Sequence, residues 1–265
     1  MKGYVSNLLL LILVYTLSIA AFYTAHLENA LSCELTIFGN ANKPPKNYLD
    51  EHGKPQGILV DMMYYVGKQM DCQFEVRLYP WKRAYKYALA GKGGIIGFSK
   101  NSERLELFDY SDIMFYDDMV LVTTKQGKFQ YSKIEDLRGK TISVTLGASF
   151  GDDFDNAVAT RLFTVRASTS PEDRLLLLLS NQVDAVLLGP GKLGLQAAIA
   201  RNKKLGLQKD QFVMLPKPFK RDPNFLGVAK KLNKKQFLIR FNKALLEGFN
   251  SGKFDEIIFR YLTAK

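Results

Sequence analysis

Metal-binding residues are scarce in this chain, which has two histidines and two cysteines among 265 residues. His26 lies in the N-terminal segment and His52 in a polar turn, so no Cys/His cluster is spaced to hold a metal ion. Two cysteines are also too few for a disulfide-built mini-scaffold. Internal repeats and low-complexity linkers are absent, which excludes a solenoid or a string of tethered modules. Acidic residues are outnumbered, 26 against 37 basic ones, for a net charge of +11. The basic residues are scattered, with a modest cluster at Lys230, Lys231, Lys234 and Lys235. The charge therefore reads as a solvated basic surface, and nucleic acid is not an expected partner.

What is present begins with an export signal. Lys2 precedes an uncharged run from Gly3 to Ala25, apolar from Leu8 to Phe22, and small residues follow up to Ser32. Tyr15, Thr16 and Ser18 dilute a run that would need about 20 strongly apolar residues to span a membrane. Residues 1–32 are expected to be a cleaved signal peptide, with a retained anchor as the alternative. No clean small-x-small triplet marks the cleavage site.

Cys33 and Cys72 each stand two residues before an apolar strand candidate, Leu35 to Phe38 and Phe74 to Leu78, with a helix near Val60 to Met70 between them. A strand-helix-strand unit makes its strands parallel and usually adjacent, so equal offsets predict that the two sulfurs lie side by side and pair after export. Lipidation of Cys33 is the competing reading, but Ala30 stands where a lipoprotein signal has an aliphatic residue.

Strands and helices alternate along the rest, which predicts α/β layers with mostly parallel sheets. Met119 to Thr124 is β-rich. Strand Thr141 to Leu146, a helix from about Gly151 and a strand at Leu162 to Val165 follow. Ser170-Pro171-Glu172-Asp173 starts a helix that carries the leucines 175 to 179 into strand Val183 to Leu188. Asn224 to Ala229 reads as a strand, and helices are expected near 234–250 and 253–262.

The most informative stretch runs from Pro80 to Asp112. Trp81, Ala84, Tyr85, Ala88 and Leu89 recur at helical spacing, and Gly91 suits a helix C-terminus. Ile95 to Phe98 is a short apolar run, expected to be a strand buried on both faces, so ligands belong at its carboxyl end, near Ser99 and Arg104. Helix, Gly-Lys, strand, Ser99-x-x-Ser102-Glu103-Arg104 and Phe108-Asp109-Tyr110-Ser111-Asp112 together resemble the polar amino-acid type of periplasmic solute-binding protein, family 3. Pro44-Pro45, Gly53 and Gly57 to Asp61 upstream extend the resemblance, as do Asp136-Leu137-x-Gly139-Lys140, Val144 and Gly147 downstream.

The resemblance implies a two-lobed type II periplasmic binding protein fold, each lobe a mostly parallel sheet flanked by helices, with lobes expected at 33–122 plus 218–265 and at 123–217 and a hinge where the chain crosses between them, near 120–125 and 214–223. It also implies a periplasmic monomer that closes around a small carboxylate-bearing solute and delivers it to an inner-membrane ABC permease, with no cofactor. By the same resemblance, Arg104 clamps the carboxylate, for which a planar guanidinium fork is suited. Trp81 packs against the ligand, Phe98 and Ser99 end the strand beneath it, and the amides of Gly147, Ala148 and Ser149 before a helix receive an anion. Each has a plainer reading. Arg104 could pair with Glu103 or Glu106 at the surface, Trp81 could be core, and Ser149 with Asp152 could form a capping box. Arg83 is read as a helix-surface residue.

One departure stands out. Many amino-acid binders place an acid after the strand equivalent to Val183–Leu188 to hold the ligand's ammonium, whereas this chain has Gly189-Pro190-Gly191, with Asp184 expected at the strand's far end. A carboxylate ligand without an ammonium becomes credible. The alternatives to a transport receptor are a sensory module acting in trans on a signalling partner and a dehydratase-like enzyme on the same scaffold. No catalytic residue is expected, since no motif supplies a positioned acid or base.

Overall fold

In the computed structural model, residues 33–263 are described. The segment expected to be the signal peptide lies outside them. The first lobe opens with β1 (Cys33–Asn40), a small meander of β2 (Asn42–Lys43), β3 (Asn47–Leu49) and β4 (Pro55–Gln56), helix α1 (Ile58–Met70), β5 (Cys72–Tyr79), α2 (Trp81–Leu89) and β6 (Gly94–Phe98). Then come α3 (Ser102–Leu107), β7 (Phe108–Tyr110) and the long β8 (Phe115–Thr124). The second lobe contains β9 (Thr141–Thr145), α4 (Asp152–Ala159), β10 (Thr164–Ser168), α5 (Pro171–Leu179), β11 (Ala185–Leu188), α6 (Gly191–Ala200), α7 (Lys203–Leu207) and β12 (Phe212–Met214). The chain returns along β13 (Lys220–Ala229) and ends in α8 (Lys235–Asn250) and α9 (Lys253–Thr263).

One curled sheet runs through both lobes in the order β10-β9-β11-β8-β13-β6-β1-β5. Within each lobe the neighbours β1, β5 and β6, or β9, β10 and β11, are parallel. The join between lobes is antiparallel: β8 pairs with β13 from Phe115↔Asn224 to Met119↔Lys220. Beyond that stretch the two strands diverge. Val120 to Val122 pair with β11, while Phe225 to Val228 pair with β6. Two long strands that each serve both lobes make the two-crossing hinge of a type II fold.

Each lobe has its own core. In the first, α1 presses Leu59, Met62, Met63 and Val66 against Phe74, Val76 and Leu78 of β5, whose alternate residues Gln73, Glu75 and Arg77 face solvent. In the second, Ile142, Ala185 and Leu187 pack with Phe154 and Phe163 on one side of the sheet, and Val186 and Leu188 pack with Leu175 and Leu178 on the other. Cys33 and Cys72 are direct partners in the β1–β5 register, their Cα atoms 4.7 Å apart, and form a disulfide.

Two local expectations are corrected. The strand after α4 begins at Thr164, because the amide of Leu162 bonds to Ala157 O and closes the helix end, and Phe163 then serves as a core anchor. Ser149 and Asp152 form no capping box. The N-cap of α4 is Gly151, the Ser149 hydroxyl donates to Asp155 (2.8 Å), and the Asp152 carboxylate accepts from Ser102 of the first lobe (2.6 Å). Near the carboxyl end of β6, Arg104 sits in the first turn of α3, where the Asn101 side chain caps its amide (2.8 Å).

Candidate functional site

A cavity of about 30 Å³ lies between the lobes, at the carboxyl ends of β1, β6 and β9. From the first lobe its wall takes Asn40, Lys43, Lys46, Asn47, Trp81, Ser99 and Arg104; from the joining strands, Asp117, Asp222 and Asn224; and from the second lobe, Thr145, Ala148, Ser149 and Phe150.

Arg104 is 4% exposed. Its Nη1 donates to Ser99 O (3.0 Å), and its guanidinium lies against Phe98 (4.7 Å), Tyr85 (5.5 Å) and Trp81 (5.8 Å). It makes no ion pair among the described residues, so the surface pairing with Glu103 or Glu106 is not formed. Burial lowers its pKa, yet a guanidinium keeps its charge at any ordinary pH. This buried cation is held by ring faces, by Ser99 O and, more distantly, by Ser99 Oγ (3.4 Å), without a carboxylate.

Trp81 lines the cavity and its Nε1 donates to Gly147 O across the lobes (3.0 Å). Phe98 is fully buried, stacked on Tyr110, and serves as the floor beneath Arg104. Gly147 contributes that carbonyl rather than a cavity wall. Ala148 and Ser149 reach the wall, and Ser149 Oγ accepts from Asn101 Nδ2 (3.0 Å). The expected site residues are thus gathered at one end of the cavity, except Phe98 and Gly147, which back it.

The other end was not legible in the sequence. Lys46 is almost completely buried and donates to Asp117 Oδ2 and to Asn224 Oδ1 (2.6 Å). Its loop is fixed by the first amides of α1: Ile58 N donates to Pro45 O (3.0 Å) and Leu59 N to Lys46 O (2.9 Å). Gly57 makes this approach possible, since a Cβ there would lie 2.5 Å from Lys46 O. Lys43 lies 3.6 Å from the same Asp117 oxygen. Burial, then neighbouring Lys46, lowers the Lys43 ammonium to about 8. Burial alone would raise the Asp117 carboxyl, but Lys46 and Lys43 hold it below the usual carboxylate range. Asp222 pairs with Lys220 (2.9 Å). Behind the wall, Arg174 is 3% exposed and donates through Nη1 to Thr145 Oγ1, while its Nε has no partner. The available signal was period two: Asp117 shares a strand face with apolar Phe115 and Met119, where an acid is out of place unless it is paired.

Two lobes joined by paired crossing strands, with a polar cavity between them, define a binding protein of the type II periplasmic class. The family model of bacterial extracellular solute-binding proteins, family 3, matches residues 35–264, and the chain belongs to that family. Solved structures agree in fold. An ancestral arginine-binding protein bound to arginine is 25% identical, with 87% of this chain and 99% of that one covered and a TM-score of 0.72. A mutant of ArgBP from T. maritima is 24% identical, with 87% and 96% covered and a TM-score of 0.71. A histidine kinase sensor domain similar to periplasmic binding proteins is 18% identical, with 88% and 98% covered and a TM-score of 0.75. No curated protein matches the chain. Among the described residues no helix is long and apolar enough to cross a membrane.

Proposed function

We propose that the chain is an extracytoplasmic receptor that closes its lobes around a small carboxylate-bearing solute and delivers it to an ABC-type membrane transporter. The observation that carries this reading is Arg104: a buried guanidinium without a carboxylate partner, on the wall of a cavity shared by both lobes. Two parallel charge-assisted hydrogen bonds from one guanidinium suit a carboxylate. Ser99 and the amide of Ser149 are the further donors on that side, whereas the Ala148 amide, also expected to receive an anion, is taken by Thr145 O (3.1 Å).

The cavity wall is shared by the two lobes, so a solute is admitted and enclosed by their parting and closing at the β8–β13 pairs. Trp81–Gly147, Asn101–Ser149 and Ser102–Asp152 are the hydrogen bonds that opening breaks and closure remakes. A thermal-shift screen of carboxylates and amino acids tests the reading, since a ligand at 100 times its Kd stabilises by about 2.7 kcal/mol. Absence of any stabilising carboxylate would overturn it.

A second reading has one observation behind it, the shared fold with a histidine kinase sensor domain. On that reading the receptor passes ligand occupancy to a signalling partner in trans. Cross-linking in native membranes separates the two, because a permease is captured in one case and a kinase in the other.

A further inference from the structure

The cavity's charges do not balance. Three lining side chains are cationic, Lys43, Lys46 and Arg104, and two are anionic, Asp117 and Asp222. Asp222 is already engaged by Lys220, and Lys43 and Lys46 share one oxygen of Asp117. Arg174 stands behind Thr145 with no ion pair among the described residues. Positive charge therefore remains uncompensated at both ends: Arg104 at one, and the Lys43, Lys46 and Arg174 group at the other. Buried cations without counter-ions are costly, and the missing anions are the natural property of a ligand.

The Asp117 carboxylate is the group that would otherwise receive a ligand's ammonium, but the protein's own ammonium, Lys46 Nζ, already sits on it with Asn224 Oδ1 as a second acceptor. The other oxygen, Asp117 Oδ1, has no hydrogen-bond partner but lies against Gly189, so an α-amino group entering here would meet Lys43 and Lys46 first. Thr145 completes the far end. Its oxygen accepts from Arg174, which leaves its hydroxyl hydrogen to be donated into the cavity.

We propose that the cleft is built for a small dicarboxylate without an ammonium group, one carboxylate on Arg104 and the other between Lys43 and the hydroxyl of Thr145. This rests on the receptor reading above and specifies its substrate class. Calorimetry on the purified protein with its disulfide intact tests it, using succinate, glutarate and 2-oxoglutarate against butyrate, L-glutamate, L-arginine and inorganic phosphate. At least one dicarboxylate should bind tenfold or more tighter than butyrate and than every amino acid in the set. Lys43→Met should weaken the dicarboxylate at least tenfold and leave butyrate within threefold. If an amino acid, butyrate or phosphate binds as tightly as the best dicarboxylate, the dicarboxylate assignment is overturned. In the first two cases Arg104→Ala still abolishes binding and the receptor reading stands. If no carboxylate binds at all, the receptor reading falls and takes this proposal with it.

Discussion

Asp117 occupies the place that a side chain on Gly189 would need: its Oδ1 lies 2.5 Å from where a Cβ on Gly189 would be. Met119 Sδ is equally close to that point. A side chain at the position after β11 would thus meet Asp117 and Met119, and the carboxylate that lines the cleft here stands on the joining strand β8. Gly189→Ala should push both side chains aside and cost about 1–3 kcal/mol, as overpacking does. Denaturant unfolding checks it.

The Asp117 cluster also predicts an asymmetry. Asp117→Asn strands two buried ammonium groups and should cost about 3–5 kcal/mol. Lys46→Met leaves Asp117 with Lys43 at 3.6 Å and should cost clearly less. Equal losses from the two variants would mean that Lys43 does not share the carboxylate.

Arg104→Ala should lower the affinity for a carboxylate ligand by about a hundredfold or more, because hydrogen bonds to charged groups contribute about 1.5–3 kcal/mol each. Arg104→Lys should restore only part of it, since an ammonium keeps the charge and loses the fork. Both variants should fold, because neither strands a counter-charge. Unchanged calorimetric affinity in Arg104→Ala removes the carboxylate clamp.

Lys43 predicts a pH effect of defined sign. Its ammonium titrates at about 8 in the folded protein, among Lys46, Asp117, Arg174 and Asp222, and near 10.5 when unfolded. Between those values the unfolded chain holds the extra proton, so this group's contribution makes the protein more stable as pH rises. The full difference corresponds to about 3 kcal/mol. Unfolding of the wild type and Lys43→Met at pH 7 and pH 9.5 should differ by about 2 kcal/mol in the wild type's favour on the alkaline side.

Ligand should compact the molecule in small-angle scattering and change its tryptophan fluorescence, because Trp81 is the sole tryptophan and its indole spans the lobes. Trp81→Phe should weaken closure by about 1 kcal/mol, the net worth of one hydrogen bond. No compaction with a saturating, verified ligand would falsify the hinge.

Intact mass of exported protein should show a start near residues 26–33 and no alkylatable thiol. Reduction of Cys33–Cys72, which closes 39 residues, should cost about 4 kcal/mol on the loop-entropy account.

The register of β1 with β5, and with it the disulfide, was determined by local sequence: alternating apolar residues after each cysteine leave one pairing that buries Phe74, Val76 and Leu78 together. The helix at Trp81–Leu89 and the strand at Gly94–Phe98 were legible for the same reason, since periodicity and turn residues act over short stretches, whereas the two-lobed architecture was read from the family resemblance. Short-range signals also led to Arg104, although its placement in a helical turn depended on Asn101 as a cap. What only the tertiary structure decided is the other half of the cleft. Lys46 and Asp117 are 71 residues apart, and Lys46 and Asn224 are 178 apart. No local pattern distinguishes a lysine bound for solvent from one that the β8–β13 strands will enclose. Desolvation and pairing of charges are properties of the closed fold, and they arise only when both lobes and the joining strands meet.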